Sequence, residues 1–314
     1  MRTRLRAGLT LAVSLVVVMV TELPSLAVNP TPVPVKNDPN VSEYYPAASG
    51  THLAWEQFAL GHYNVYAQPR AGGAKVRVNA SRRSGCCSSI LPGADSIIYQ
   101  QFSGSDSDLY LYDMGTEVRK ILPAKVDTKA WEYWGVASSA YVAFMRITRL
   151  GRILFLYNRT SGRLTQIASS KVKCGSCFRP DWVGSTHLIY QQCSPKTFAC
   201  KLWLWTKKGS TRLIPNPDGS PYSQYGGVMD EATGDIYYIR TTTWCGLFVE
   251  IRRTNTSDVS TFTTIYDFPE GIDGNELSLA PDVLTPTDTD LLFSQYDCIK
   301  NDSDILEIDS VNAL

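Results

Sequence analysis

A short pattern of alternating aliphatic and aromatic residues recurs six times along the chain. In each copy a small or polar residue precedes a run of bulky residues, and the stretch from Asp108 to Asp113 is a clear example. The copies cover residues 64–67, 108–113, 152–158, 201–205, 246–251 and 304–309. In the first five copies a turn and a second short apolar strand follow, so each copy predicts a pair of β-strands.

Another apolar strand precedes each copy at a similar distance. These strands cover residues 52–55, 97–100, 141–144, 187–190, 236–239 and 291–294. A looser segment containing Pro, Gly and Asp lies upstream of them, for example at residues 92–95 and 180–184. Each unit therefore offers about four short strands at a period of roughly 40–50 residues, which is typical of propeller blades.

The strands alternate between two kinds of bulky residue rather than between apolar and polar ones. Leu109 and Leu111 face one way, while Tyr110 and Tyr112 face the other. A strand of this kind is buried on both faces, as it is when a blade packs between two neighbours. The pattern predicts an all-β fold, a six-bladed β-propeller of four-stranded blades, in preference to a large β-sandwich.

The sixth unit lacks its outermost strand, because the chain ends soon after Ile308. Residues 31–36, near the other end, are extended and partly apolar and have no place in the first blade. Proline is tolerated on an edge strand, where one side needs no donors. We expect this N-terminal segment to supply the outer strand of the last blade and so to close the ring.

The N-terminus has the plan of a secretory signal peptide. Three arginines lead into the apolar stretch at residues 7–20, and Ser25-Leu26-Ala27 follows. An uncleaved anchor is the alternative, but the run is shorter than the ~20 apolar residues that a spanning helix needs. We predict a signal peptide at 1–27, a linker and closing strand at 28–42 and the propeller at 43–314 of a secreted or extracytoplasmic, bacterial protein.

Charge and composition exclude some partners. The chain has 30 basic and 30 acidic residues, and removal of the signal peptide leaves 27 and 29. A nearly neutral chain has no general attraction for nucleic acid or anionic lipid. There is no further long apolar run, so no membrane span is expected after cleavage, and we expect a monomer.

The eight cysteines predict a disulfide framework, because an even number in an exported chain is typical of oxidised proteins. Cys193 and Cys200 flank a short hairpin connection and are predicted to pair. Cys245 and Cys298 lie in the corresponding connections of blades five and six, and their bond would join two neighbouring blades.

The remaining four cysteines precede the innermost strands of their blades. Cys86 and Cys87 are adjacent, and Cys174 and Cys177 form a C-x-x-C motif. Each pair either closes locally or is linked to the other over the central channel, and local closure is preferred because blades two and four are not adjacent. A redox or zinc role for the motif is disfavoured, because no helix is predicted there and few other ligands are close.

Motifs for catalysis and metal binding are scarce. The sequence has no nucleophile elbow, H-E-x-x-H pair, phosphate loop or EF-hand loop, and it has three histidines, His52, His62 and His187. Two acidic segments, residues 105–108 and 301–304, could hold a calcium ion. Both fall in hairpin connections, where Asp, Asn and Ser are ordinary turn formers, and we prefer that interpretation. No catalytic residue and no other cofactor is predicted.

Aromatic residues are the best candidates for a binding site. Several lie in or beside the innermost segments, which line the channel and one mouth of a propeller, and Tyr and Trp are enriched at interaction hot spots. The alternative is that they wedge between blades near the axis. The candidates are Tyr44, Tyr45, Trp131, Tyr133, Trp134, Trp182, Tyr222 and Tyr225.

The unit at residues 179–191, with Pro180-Asp181-Trp182 before an apolar strand, and the stretch at 108–113 resemble the repeats of TolB-type propellers. The resemblance covers nearly the whole mature chain but is degenerate, since the third blade lacks the proline. It implies the fold and a tendency to bind partners. The amino-terminal partner-binding domain of that family has no counterpart in this sequence, so a role in a cell-envelope complex does not carry over.

We therefore favour a non-catalytic extracytoplasmic binding scaffold, which holds a protein or a glycan at one mouth of the ring. The alternative is a small propeller hydrolase or lyase that acts on sugars or lactones with carboxylates at the channel mouth. A purely structural module of the envelope is a third interpretation. Three or more converging carboxylates, or a metal in the channel, would favour the enzyme.

Overall fold

The structure, a computed structural model, describes most of the chain beyond the predicted signal peptide. The described residues are 33–36, 41–59, 61–80, 83–90, 96–103, 106–171, 178–197, 199–216, 222–242, 249–281, 289–300 and 302–308. Within these ranges the secondary structure is all strand and turn, with no helix. The signal peptide predicted at 1–27 lies outside them and stays a prediction.

The first strand, β1 (Val33–Lys36), precedes the first blade. Blade one consists of β2 (Ser42–Ala48), β3 (His52–Ala59), β4 (His62–Pro69) and β5 (Val76–Arg77). Blade two consists of β6 (Gly85–Ile90), β7 (Ser96–Ser103), β8 (Asp106–Asp113) and β9 (Val118–Ile121). Blade three consists of β10 (Trp131–Ala137), β11 (Tyr141–Thr148), β12 (Gly151–Asn158) and β13 (Leu164–Ser170).

The second half of the chain repeats the arrangement. Blade four consists of β14 (Phe178–Val183), β15 (His187–Cys193), β16 (Cys200–Thr206) and β17 (Thr211–Leu213). Blade five consists of β18 (Ser223–Met229), β19 (Asp235–Thr241), β20 (Val249–Asn255) and β21 (Thr263–Asp267). Blade six takes β22 (Ile272–Pro281), β23 (Thr289–Asp297) and β24 (Asp302–Ile308) from this half.

Each blade is a four-stranded antiparallel sheet, and the strands of the first five blades follow one another in chain order. In the sixth sheet the order is β22, β23, β24 and then β1. The outermost strand of this sheet comes from the other end of the described chain, with Val33 opposite Glu307. The prediction of six four-stranded blades is confirmed.

Among the described residues, six hydrophobic clusters hold the ring together, and each lies between two neighbouring blades. Leu109 belongs to the cluster between blades two and three, whereas Tyr112 of the same strand belongs to the cluster between blades one and two. The alternation of bulky residues thus serves both faces, as predicted. Burial of each such side chain contributes about 1.5–3 kcal/mol. A thin sheet with two apolar faces is stable only between two neighbours.

The innermost strands share an irregularity near the mouth of the ring. Their register with the second strand shifts at one matching place in every blade, between residues 44 and 47, 86 and 89, 133 and 136, 180 and 182, 225 and 228, and 274 and 277. A β-bulge of this kind bends the strand and redirects its side chains. The side chains at the bulges therefore leave the alternation of the strand and turn toward the axis.

The cysteine predictions have mixed outcomes. Cys193 and Cys200 face each other across the β15–β16 hairpin and form the predicted disulfide. Cys298 is also disulfide-bonded. Its predicted partner, Cys245, lies outside the described residues, as do Cys174 and Cys177.

The preferred local bond between Cys86 and Cys87 is not present, because both residues are free thiols. A disulfide between adjacent residues closes a small ring that includes their peptide bond and strains the geometry of the bond. The bulge instead places polar groups beside each residue. The Cys87 N–H donates to Glu56 Oε2 at 3.0 Å, and the Cys86 thiol lies 3.7 Å from Gln100 Oε1.

Candidate functional site

A cavity of about 480 Å³ opens at one mouth of the ring, at the end where the second and third strands of each blade join. Most of its lining comes from blades one to three, and Tyr296 of blade six completes it. The lining residues are Tyr44, Tyr45, Glu56, Tyr63, Cys86, Cys87, Gln100, Phe102, Tyr133, Trp134 and Tyr296. We call this space the mouth cavity.

A narrower cavity of about 80 Å³ continues along the axis of the ring and is lined by the innermost strands of all six blades. Tyr45, Cys87 and Trp134 line both this axial cavity and the mouth cavity. These three residues therefore form the floor of the mouth cavity, where it narrows into the channel.

The three floor residues share an unusual backbone. Their φ angles are 51° at Tyr45, 59° at Cys87 and 49° at Trp134, which is the left-handed region that residues with side chains rarely adopt. Such strain costs about 1–3 kcal/mol per residue and persists only where the surrounding structure imposes it. Blade five has Gly226 at its bulge, with a φ of 64°. At the bulges, backbone strain in residues other than glycine is thus found in blades one to three, which supply most of the lining of the mouth cavity.

Hydrogen bonds from the neighbouring blade hold the bulges in place. The Cys87 N–H donates to Glu56 Oε2 at 3.0 Å, and the Trp134 N–H donates to Gln100 Oε1 at 3.2 Å. In each pair the acceptor belongs to the preceding blade. Gln100 is fully buried and also donates to Ser107 Oγ at 2.8 Å. Cys87 and Trp134 are therefore fixed by contacts with the preceding blade.

The aromatic rings of blades two and three form a continuous surface. The ring centroids of Tyr133 and Trp134 are 5.7 Å apart, and those of Tyr133 and Trp131 are also 5.7 Å apart. Phe102 meets Tyr133 edge-on at 6.4 Å. These are favourable distances for aromatic pairs. The contacts limit the rotation of the rings and keep their free faces toward the cavity.

The rim of the mouth cavity exposes large aromatic side chains to solvent. Trp131 is 40% exposed and Tyr63 is 42% exposed. Tyr63 packs against Phe58, which is 43% exposed, with ring centroids 4.7 Å apart. Clustered exposed apolar surface commonly marks an interaction site.

Few polar side chains line the mouth cavity, and Glu56 and Gln100 among them are buried. Glu56 is 2% exposed. A hydrogen bond with Cys87, together with burial, holds the pKa of the Cys86 thiol well above its usual range. Burial and the negative charge of Glu56 raise the pKa of Tyr63. The Arg179 guanidinium lies 5.4 Å from the centroid of the Tyr45 ring and supplies positive charge beside the floor.

Of the eight predicted aromatic residues, four line the mouth cavity: Tyr44, Tyr45, Tyr133 and Trp134. Trp131 does not line it but adjoins it through its contact with Tyr133. The structure thus brings five of the eight together at one place.

The other three have packing roles. Trp182 packs against the two hydrophobic clusters on either side of blade five and lines the axial cavity. Tyr222 lies against the Arg240 guanidinium, 3.9 Å from its ring centroid. The Tyr225 hydroxyl donates to Asp273 Oδ1 at 3.1 Å and to the Gly274 carbonyl at 2.9 Å. These contacts agree with the alternative interpretation, in which the aromatic residues pack between blades near the axis.

Sequence reasoning missed the second and third strands as contributors to the mouth. Tyr63 is the second residue of β4, Phe102 lies near the end of β7, and Tyr296 lies near the end of β23. All three are next to hairpin turns, and Phe102 and Tyr296 hold matching positions in their blades. An alignment of the second strands of the repeats would have shown that match.

A group of carboxylates lies between blades two and three. Single oxygens of Asp108, Asp127 and Glu132 are all within 4.8 Å of one another. Burial raises the pKa of Glu132 to about 7, although Thr128 and Arg146 each donate to it at 2.8 Å. Burial, together with a hydrogen bond to Asp127, raises the pKa of Asp108 to about 6. None of the three carboxylates lines the mouth cavity.

The two acidic segments nominated for calcium contain ordinary turn contacts. The side chains of Asp106 and Asp302 each accept the N–H of the following serine at 2.9 Å. Asp302 also accepts the hydroxyl of Ser42 at 2.9 Å. Ser105 and Asn301 lie outside the described residues, and calcium binding stays a prediction.

Among the described residues there is no helix of the length and hydropathy that a membrane crossing requires. No model of a protein family matches the sequence, and no curated protein matches it significantly.

Solved structures do resemble this one. TolB from Acinetobacter baumannii superimposes with a TM-score of 0.56 at 12% identity, over 85% of this chain. The chain spans only 63% of the length of that TolB. An oligogalacturonate lyase from Vibrio parahaemolyticus gives 0.54 at 12% identity, over 90% of this chain and 98% of its own. An oligogalacturonate lyase in complex with manganese gives 0.51 at 11% identity, over 88% of this chain and 85% of its own.

Identities this low carry the fold and not the activity. They agree with the observed ring of six four-stranded sheets and with the repeats seen in the sequence. This chain has the fold of a TolB-like six-bladed β-propeller.

Proposed function

We propose that this protein is a non-catalytic extracytoplasmic binding scaffold, which holds a protein or glycan partner in the mouth cavity. The observation that carries the proposal is the floor of Tyr45, Cys87 and Trp134 on strained bulges, with Cys87 and Trp134 held by hydrogen bonds from the preceding blade. Backbone strain of this kind clusters at ligand sites, where it fixes side chains in a binding geometry. The aromatic rings are therefore ordered in advance, which lowers the entropic cost of binding.

The size and lining of the mouth cavity suit a bound group. Its volume of about 480 Å³ lies within the roughly 300–1,000 Å³ typical of ligand pockets. Seven aromatic side chains and the few polar groups of Glu56, Gln100 and the two cysteines line it. Flat rings take either a sugar ring or an aromatic or aliphatic side chain of a protein partner, and the polar groups fix its orientation.

The described lining gives little support for hydrolysis. Glu56 is the one carboxylate among the described residues that line the mouth cavity, and no histidine is among them. A glycosidase of the common kind uses two carboxylates that flank the scissile bond. The absence of a second acid from this lining favours binding over catalysis.

Disulfide bonds support an extracytoplasmic location. Cys193 and Cys200 are bonded, and Cys298 is also in a disulfide. Disulfides form and persist in oxidising compartments and are rare in the cytosol. They agree with the signal peptide that the sequence predicts.

The proposal is tested by capturing the partner and then removing one ring. The mature protein is used to capture proteins from envelope and culture-medium fractions and to screen a glycan panel, and the ligand found is titrated directly. Replacement of Trp134 by Ala is expected to weaken that binding by about 30-fold, or roughly 2 kcal/mol, as expected of a hot-spot residue. The matched control is Phe262→Ala, an exposed aromatic residue stacked on Arg252 in the outer part of blade five.

The control should bind like the unaltered protein, and circular dichroism should show both variants folded. Equal affinity for the unaltered protein and both variants would contradict the proposal. The proposal would also be contradicted if no partner were captured and the protein turned over sugars or lactones from a panel.

The second candidate, a sugar or lactone hydrolase or lyase, is favoured by one observation. The carboxyl groups of Asp108, Asp127 and Glu132 converge, and two of them have raised pKa values, as general acids do. Their position between two blades, away from the mouth cavity, is against it. Turnover that is lost in Glu132→Gln and retained in Trp134→Ala would select this candidate.

A further inference from the structure

The two free cysteines converge with a buried carboxylate at the floor of the mouth cavity. The sulfurs of Cys86 and Cys87 and one carboxylate oxygen of Glu56 all lie within 4.8 Å of one another. Adjacent residues of a regular strand point to opposite faces. These two side chains meet because Cys87 is the bulge residue, with its backbone in the left-handed region.

This set of ligand atoms suits a thiophilic divalent cation. Zinc binds thiolate sulfur at about 2.3 Å and carboxylate oxygen at about 2.0–2.2 Å, in a tetrahedron. The edges of such a tetrahedron measure roughly 3.6–3.8 Å. The three atoms all lie within 4.8 Å of one another, so small side-chain rotations suffice to bring them to these distances.

Neighbouring groups orient the three side chains. The Cys87 N–H donates to Glu56 Oε2 at 3.0 Å, which directs the carboxylate toward the thiols. The Cys86 thiol donates to Gln100 Oε1 at 3.7 Å, and this contact is given up when the thiol loses its proton to the cation. The bond from the Cys87 N–H to the Glu56 carboxylate remains, and hydrogen bonds of this kind to ligand side chains are typical of metal sites.

The charges around the site match an anionic complex. A divalent cation with two thiolates and one carboxylate carries a net charge of −1. Arg179 is close enough to act electrostatically on Cys86. Its position against the Tyr45 ring keeps the guanidinium beside the floor. One positive side chain therefore balances the complex.

We propose that Glu56, Cys86 and Cys87 form a binding site for a thiophilic divalent cation, with Zn²⁺ as the expected ion. The cation replaces the two thiol protons, which pass to solvent, and no electron is transferred. The three protein ligands also line the mouth cavity, so the fourth position of the tetrahedron faces the space where a partner would bind. The inference goes beyond the proposed function, because cation binding requires no partner.

The test uses Co²⁺ as a spectroscopic probe and Zn²⁺ as the competitor, with the mature protein purified without reductant. One Co²⁺ per chain should bind, with the charge-transfer absorption of thiolate-bound cobalt, and Zn²⁺ should displace it. Cys86→Ser and Cys87→Ser should each abolish this absorption and lower the Zn²⁺ affinity by about 100-fold or more. Glu56→Gln should weaken binding and retain the absorption.

The matched control is Glu132→Gln, which alters a buried carboxylate of the separate acidic group and should leave the cobalt spectrum unchanged. Circular dichroism and the melting temperature establish that each variant is folded. In the unaltered protein Zn²⁺ should raise the melting temperature, since a ligand that binds only the folded state stabilises it.

Three results would overturn the site. They are the absence of the thiolate–cobalt absorption, a Zn²⁺ affinity in both cysteine variants that equals that of the unaltered protein, and peptide mapping that finds Cys86 and Cys87 joined as a disulfide in the exported protein. These outcomes are separable from the proposed function. Trp134→Ala should weaken partner binding and keep cation binding, so each proposal can fail alone.

Discussion

At the scale of single residues, the bulge positions distinguish the blades that line the mouth cavity from blade five. Tyr45, Cys87 and Trp134 have side chains and yet adopt a left-handed backbone conformation, whereas the corresponding residue of blade five is Gly226. Glycine adopts this conformation without strain. Backbone strain is therefore present where the bulge residue has a side chain that lines the mouth cavity. The bulge of blade five avoids this strain, because its residue is glycine. We take this difference as the residue-level sign of function.

Single carboxylates also link neighbouring blades away from the mouth. Glu231 of blade five accepts the N–H groups of Ser185 at 2.9 Å and Thr186 at 3.0 Å, and it accepts both of their hydroxyls. Burial alone would raise the pKa of Glu231, but these hydrogen bonds outweigh burial and lower the pKa. The ionised form is therefore favoured in the folded protein.

The stability that Glu231 contributes should be present above its unfolded pKa of about 4.3 and should be lost as the pH falls through the lower folded pKa. Glu231→Gln should reduce the free energy of unfolding at neutral pH and reduce its fall in acid. Urea unfolding of both proteins across this range measures the effect. The control is Glu270→Gln on the exposed surface, and an unchanged pH dependence in Glu231→Gln would contradict the assignment.

At the scale of elements, the outer strand of blade six differs from the other outer strands because it comes from the other end of the described chain. β1 pairs with β24, and Val35 packs against the cluster that joins blades six and one. Arg70, just after β4, forms ion pairs with Asp290 at 2.8 Å and with Glu307 of the strand beside β1. Backbone pairing, apolar packing and ion pairs therefore meet at one junction.

Removal of β1 should weaken this junction. A chain that begins near Tyr44 loses the pairing with β24 and the packing of Val35, at a cost of at least about 2 kcal/mol. The free edge of β24 would then be exposed. Thermal unfolding of the shortened and the full mature chain should show a clearly lower melting temperature for the shortened one. Equal melting temperatures would contradict a stabilising role for β1.

At the scale of the whole molecule, the six interfaces between blades are chemically similar, but the two cavities are not symmetric around the axis. Most of the lining of the mouth cavity comes from three consecutive blades, while the axial cavity is lined by all six. The chain is also nearly neutral. Long-range steering by charge is therefore weak, and under the proposed function we expect recognition to depend on the shape and rings of the mouth.

The repeats predicted the fold because blade packing acts through local pattern. Leu109 and Tyr112 lie on opposite faces of one strand, and each face meets a different blade, as the alternation predicts. The site was only half predictable, because it depends on which residues meet at one end of the ring. Tyr44 and Tyr225 hold matching positions, yet Tyr44 lines the mouth and the Tyr225 hydroxyl bonds Asp273. That difference depends on the groups that blade six brings to Tyr225, namely Asp273 and the Gly274 carbonyl.

The central claim is that the partner binds over the aromatic floor of blades one to three. Hydrogen exchange of the mature protein, with and without its captured partner, tests this most directly. We predict slower exchange at residues 41–48, 84–89 and 131–137 in the bound protein. Slower exchange confined to the outer groove between blades three and four, around Trp205 and Lys207, with the mouth unchanged, would contradict the account.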